Sequence, residues 1–104
     1  MKYSLAKQLK EAGFPQFYAS FMLDYGDRKG QRIFYDNEWV YTPTLSELIE
    51  ACGEDFGELQ REKDEAGEVI WYATHRVMND MTGGYARGKA PSEAVAKLYI
   101  KIYD

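Results

Sequence analysis

Cysteine, histidine and proline are scarce in this chain of 104 residues, which contains one Cys, one His and three Pro. A single cysteine cannot form a disulfide within the chain, so nothing here requires an oxidising compartment. Cys52 and His75 alone also fall short of the set of ligands that a metal site needs. We therefore expect a cytoplasmic domain that folds without a metal or a cofactor.

Long hydrophobic runs and an excess of positive charge are also missing. The N-terminus has lysines but no apolar core of a signal peptide, and the run "FYASFML" is too short to span a bilayer. The net charge is −4 and the isoelectric point is near 5.0, whereas nucleic-acid binding needs a basic surface for the phosphates. The sequence therefore predicts no export, no membrane insertion and no binding to nucleic acid.

Apolar and aromatic residues are plentiful, at 45% and 15% of the chain. This supply is sufficient to offset the conformational entropy that folding removes. A chain of this length forms one hydrophobic core, so we predict a single domain over residues 1–104.

The first half of the sequence predicts a short helix and a tight hairpin. The segment "YSLAKQLKEAG" has the spacing of an amphipathic helix, with Ser4 as its N-cap and Gly13 at its end. "FYASFML" follows as a strand, and the turn "DRKG" leads to "QRIFY". Asp36 and Asn37 separate two further apolar runs, and both residue types tolerate the left-handed backbone of a hairpin turn.

Two further helices begin with similar phrases, "YTPTLSELIEACG" and "GKAPSEAVAKLYIKIYD". Thr44 and Glu47 form a capping box at the first, Gly53 ends it, and Pro91 opens the second at a position where a missing N–H costs nothing. Both have apolar residues at the helical spacing i, i+3, i+4, i+7. These residues are Leu45, Leu48, Ile49 and Cys52 in the first helix and Val95, Leu98, Tyr99 and Ile102 in the second.

A second hairpin is predicted between the two helices, because "GELQRE" and "EVIWYATH" flank the polar "KDEAG". The segment "RVMNDMTGGYARGKA" is interpreted as a mobile connection or an irregular edge strand. The element order is then α-β-ββα-ββα. Strands that are apolar on both faces favour a covered sheet, so we predict an α+β fold with three helices and an antiparallel sheet of four to five strands, arranged as an α/β/α sandwich.

No catalytic, cofactor-binding or metal-binding residue is predicted. His75 follows an apolar strand without a second ligand, so we interpret it as a strand-end residue with a local hydrogen bond. Cys52 falls on an apolar helix stripe, which favours an unreactive core thiol. "TGGYARGK" departs from a phosphate-binding loop, because Ala90 stands where Ser or Thr belongs.

The nine tyrosines are compatible with a stacking surface for bases or sugars, but core packing is the more economical interpretation. We predict packing in the core or at its rim for Tyr35, Tyr41, Tyr72 and Tyr99.

Negative charge is concentrated in "EDFGELQREKDEAGE", residues 54–68, which has seven acidic and two basic residues and a net charge of −5. The rest of the chain therefore sums to +1. Such a segment is either a solvated surface or a docking surface for a basic protein partner. We predict that a partner recognised by charge contacts Glu58, Glu62, Asp64, Glu65 and Glu68.

The two helix phrases, with the strand "IWYA" between them, resemble a family of small uncharacterised phage and prophage proteins. Those proteins contain "APTLSELIEACG", a strand with W-x-A, and "G-x-TPEEAVAxLWLAL". The resemblance extends from Trp39 to the end of the chain and implies a phage or prophage origin and an α/β/α sandwich. This chain has Ala90 where the family tends to have threonine, and the family has no established activity to assign to any residue here.

A weaker similarity connects the last helix with Hic-type antitoxins, although their Pro-Asp-Leu-Pro-Gly strand and a DNA-binding segment are missing here. Three functions remain open at this stage. A non-catalytic protein-interaction module is favoured, an antitoxin-like regulatory domain that binds a basic partner is the alternative, and a small enzyme is the third.

Overall fold

A computed structural model describes residues 1–16, 30–76 and 84–103. The elements are α1 (Tyr3–Glu11), β1 (Gln31–Tyr35), β2 (Glu38–Thr42), α2 (Leu45–Cys52), a 3₁₀ turn (Gly53–Asp55), β3 (Phe56–Lys63), β4 (Val69–His75), β5 (Tyr85–Gly88) and α3 (Pro91–Tyr103). The predicted α+β class is confirmed. The strand "FYASFML" and the turn "DRKG" before Gly30 lie outside the described residues.

The strands form two antiparallel sheets in the described ranges, rather than the one sheet that we expected. β1 and β2 pair around Asp36 and Asn37, whose φ angles of 54° and 60° suit a type I′ turn. β3, β4 and β5 form the second sheet in that order. Each sheet has its own helix, because β2 contacts α1 whereas β4 and β5 contact α3. Both predicted hairpins are confirmed.

The start of α1 differs from the prediction. Ala6 N donates to Lys2 O at 3.1 Å, so the helix begins before Ser4, and Lys2 is the N-cap without a side-chain hydrogen bond. The predicted end is correct, because Gly13 adopts φ +94° after the last turn.

α3 is the central helix and contacts α1, α2, β4 and β5. In the described part of the chain α3 therefore packs on the other two helices and on one sheet. The α/β/α layering stays a prediction. Small residues let α3 approach closely: Ala73 and Ala86 are cross-strand partners and buried. A Cβ at Gly88 would lie 2.7 Å from Ala94 N, so β5 and the first turn of α3 require a glycine here.

The capping box of α2 is confirmed. Thr44 Oγ1 accepts from Glu47 N at 3.3 Å, and Glu47 Oε1 accepts from Thr44 N at 2.9 Å.

We predict that Thr44→Ala lowers the free energy of unfolding by about 1 kcal/mol, measured by urea denaturation. Ser46→Ala, an exposed substitution in the same helical turn, is the control and should stay within about 0.5 kcal/mol of the parent. Identical stabilities of Thr44→Ala and the parent would contradict the capping role.

Candidate functional site

The outer half of the β3–β4 hairpin extends beyond the rest of its sheet. β3 and β4 pair as far as Lys63 and Val69, but the pairing of β5 with β4 ends at Trp71. Every residue from 60 to 69 is exposed. We call residues 58–70 the acidic arm. It is a two-stranded ribbon with little apolar packing, so its shape depends on backbone pairing and on its turn.

The turn of the acidic arm is held by Asp64. Its Oδ1 accepts from Ala66 N and from Glu68 N, both at 2.9 Å. The backbone supports the same turn, because Asp64 N donates to Glu68 O at 2.9 Å and Gly67 adopts φ +84°. Of the five predicted contact residues, Asp64 thus has a carboxylate oxygen that is already occupied within the turn.

A bulge at the base of the acidic arm decides which side chains share a face. Gly57 and Glu58 together stand opposite Thr74, whose Oγ1 accepts from Glu58 N at 3.2 Å. A Cβ at Gly57 would lie 2.8 Å from Thr74 O, so glycine is required at this position. The extra residue places Phe56 and Leu59 on the same face of β3.

The acidic arm therefore has two chemically different faces. By strand alternation, Glu58 and Glu62 lie on one face, and Arg61 and Lys63 lie on the opposite face with Leu59. Glu65 and Glu68 lie in the turn and immediately after it. The fold thus brings together four of the five predicted carboxylates as one acidic face and one acidic tip. Period-two alternation from residue 58 to residue 63 predicts this division, and the bulge changes only the face on which Phe56 lies relative to Leu59.

A second cluster of ionisable groups joins the ends of α2, β4 and α3. The carboxylate of Asp55 lies 3.8 Å from His75 Nε2 and accepts from the Tyr103 hydroxyl at 3.1 Å. The same hydroxyl lies 3.4 Å from Cys52 O. Burial, followed by the hydrogen bond to Asp55, raises the pKa of Tyr103. These contacts connect three elements of the fold, and His75 lies at the strand end as predicted.

Cys52 is buried in the core, as its place on the helix stripe predicted. Burial, with a smaller contribution from the Asp55 charge, raises the pKa of this thiol to about 11.

We predict that alkylation by iodoacetamide near neutral pH is at least about a hundredfold slower in the folded protein than in urea, because the thiolate is the reacting species. Mass spectrometry of timed samples measures both rates, with glutathione as a reference thiol. Similar rates would contradict this placement.

Two exposed aromatic residues form a third surface feature, which the sequence analysis missed. Phe34 and Trp39 are cross-strand partners on β1 and β2, with exposed fractions of 54% and 44% and ring centroids 4.9 Å apart. The guanidinium of Arg32 lies 4.5 Å from the Trp39 ring centroid. The available signal was their symmetric position around the two-residue turn, which makes them neighbours on one face.

The tyrosine predictions are confirmed where the structure describes the side chains. Tyr41 and Tyr99 are buried in the core. Tyr72 is half-buried beside Tyr85, with ring centroids 6.2 Å apart, and so belongs to the rim. The side chain of Tyr35 lies outside the description.

The segment "TGGYARGK" contains a strand, because residues 85–88 form β5. Of the two interpretations, the edge strand is confirmed for these residues, whereas 77–83 lie outside the described ranges.

Within residues 1–16, 30–76 and 84–103, no group of three or more metal-ligand side chains occurs. No helix in these ranges has both the length and the hydropathy of a membrane span. Comparison of the chain with protein-family models, with curated proteins and with solved structures gives no match.

Proposed function

We propose that this chain is a small non-catalytic protein-interaction domain, of the phage or prophage type that its helix phrases resemble, and that it binds a basic protein partner through the acidic arm. The supporting observation is the exposure of every residue from 60 to 69 on a regular, paired ribbon. Ordering a segment costs conformational entropy, and this one offsets little of that cost by burial. An arm of this kind gains buried contacts when a partner covers it.

The charge of the acidic arm supports a basic partner. Five acidic and two basic side chains give residues 58–70 a net charge of −3. Glu65 and Glu68 at the tip are both exposed, so their carboxylates are accessible to another protein surface. Exposed charges of this kind steer association and make its rate depend on salt.

The test compares two variants with the same change in net charge. Glu65→Lys with Glu68→Lys reverses the tip, while Glu11→Lys with Glu50→Lys reverses two exposed residues on α1 and α2. Asp64 is left intact because its carboxylate holds the turn. A partner is first captured from bacterial lysate on the immobilised protein and identified by mass spectrometry, and its association rate is then measured by surface plasmon resonance.

The tip variant should slow association by about tenfold at low salt, and high salt should remove the difference. The α1/α2 variant should associate like the parent. Equal slowing by both variants, or no slowing by the tip variant at low salt, would contradict the proposal. A captured basic toxin would specify the partner as that of an antitoxin-like domain.

A further inference from the structure

Among the described strands β5 lies at the edge of its sheet, with backbone groups directed away from β4. His75 N donates to Gly84 O at 2.7 Å, and the antiparallel ladder alternates from there. Residues 84, 86 and 88 therefore bond to β4, whereas Tyr85 and Arg87 direct their N–H and C=O groups to the outer edge. The bond from Lys101 Nζ to Tyr85 O, at 2.7 Å, lies on this outer edge. No described strand pairs there.

A groove of about 530 Å³ lies between this edge and α3. Its lining includes four cationic side chains and one carboxylate: Arg87, Lys89, Lys97, Lys101 and Glu93. Glu93 forms an ion pair with Lys97 at 2.9 Å. The groove lining therefore has a net charge of +3. A concentration of positive charge in a chain of net charge −4 is a local feature of this groove, whose lining includes Ile70 of the acidic arm but none of the arm's carboxylates.

We propose that the groove binds an extended acidic peptide segment of another protein, which adds as a strand to the outer edge of β5. Such a segment supplies carbonyl groups for the N–H groups of Tyr85 and Arg87 and an N–H for Arg87 O. Successive side chains of a strand point to opposite faces. Arg87 belongs to the sheet, whereas Lys97 and Lys101 belong to α3, so acidic residues at consecutive positions meet a cation on either face.

Lys101 has a second role in this groove. Its ammonium group bonds to Tyr85 O and lies 5.1 Å from the centroid of the Tyr85 ring. A lysine at a sheet edge opposes pairing with neutral strands, because the incoming strand must displace the ammonium from a hydrogen bond. An acidic strand offers the same ammonium a carboxylate instead. The edge is therefore selective for negative charge.

The other occupants with negative charge fit less well. The chain's own acidic edge strand, β3 of a second copy, carries Arg61 and Lys63 on one face, which would meet cations of the groove on either side: Arg87 on the sheet, or Lys97 and Lys101 on α3. A nucleic-acid strand offers phosphates to the cations, but its backbone has no N–H donor for the outward carbonyl of Arg87. An acidic polypeptide matches both the charge and the hydrogen-bonding pattern.

The probe is an end-capped peptide of about eight residues with consecutive glutamates among threonines, and its control is the same peptide N-methylated at alternate positions. Methylation keeps the charge but removes the N–H groups that pair with a strand. Fluorescence anisotropy should show at least about tenfold weaker binding of the methylated peptide. Amide exchange at Tyr85 and Arg87, followed by NMR, should slow with the unmethylated peptide alone.

Two variants of Arg87 separate charge from backbone. Arg87→Ala removes the guanidinium, and Arg87→Pro also removes the outward N–H, at an edge position where proline is tolerated. Arg87→Ala should weaken binding about fivefold and Arg87→Pro about fivefold more. Arg76→Ala, at an exposed arginine outside the groove and outside the acidic arm, should leave binding unchanged.

Equal affinity for both peptides would overturn the proposal, and so would equal affinity of the two Arg87 variants when both fold. If Arg87→Pro does not fold, as judged by circular dichroism, the methylated and unmethylated peptides with the parent protein decide the question. Tighter binding of oligo-dT of the same charge would indicate a nucleic-acid groove instead. Salt-sensitive self-association without peptide, seen by analytical ultracentrifugation, would indicate a second copy.

Discussion

Leu98→Ala should lower the free energy of unfolding by about 2–5 kcal/mol. Leu98 is fully buried in α3, which contacts two other helices and two strands. Removing its side chain leaves a cavity in the hydrophobic core to which α3 belongs. Urea denaturation followed by tryptophan fluorescence measures the change, because Trp39 and Trp71 lie in different sheets.

Leu98→Met is the matched control for this prediction. It conserves the volume of the side chain and should cost less than about 1.5 kcal/mol. Equal costs for the alanine and methionine variants would show that α3 does not pack as the structure describes.

Glu47→Ala should cost about 3 kcal/mol, because this buried carboxylate connects two parts of the fold. The Tyr41 hydroxyl donates its single proton to this carboxylate and lies 2.8 Å from Oε1 and 2.7 Å from Oε2. The alanine variant removes that acceptor from a tyrosine that is 1% exposed, and it also removes half of the capping box at Thr44.

A double-mutant cycle tests the connection between the two side chains. Tyr41→Phe alone should cost about 1–2 kcal/mol, and Tyr41→Phe with Glu47→Ala should cost less than the sum of the single changes. The reason is that the double variant removes the donor and the acceptor together. Additive costs, measured by urea denaturation of the four proteins, would be incompatible with the buried hydrogen bond.

Features that depend on neighbouring residues were predictable from the sequence. The capping box requires Thr44 and Glu47 at a spacing of three residues, and the β1–β2 turn requires two residues that tolerate positive φ. Both are confirmed. The amphipathic stripe also predicted correctly that Cys52 and Leu98 lie in the core.

Features that depend on distant residues were not predictable. The hydrogen bond from Tyr41 to Glu47 requires β2 and α2 to be packed together. The sequence does not show that these two residues are partners. The described strands divide into two sheets whose hairpins contact different helices, and these contacts join residues far apart in the chain. At the candidate site, composition identified the acidic segment, but the role of Asp64 in the turn and the bulge at Gly57 depend on backbone geometry.

The partial pairing of β4 has a consequence for local opening of the sheet. The inner half of β4 bonds to strands on both sides and rests against α3, whereas the outer half has β3 as its described neighbour. Amide hydrogens near the tip can therefore exchange with solvent through fraying of the ribbon, whereas exchange of those around Ala73 requires a larger unfolding of the domain. Ordering the tip against a partner then costs little free energy. Fraying of the tip also leaves the stability of the domain core unchanged.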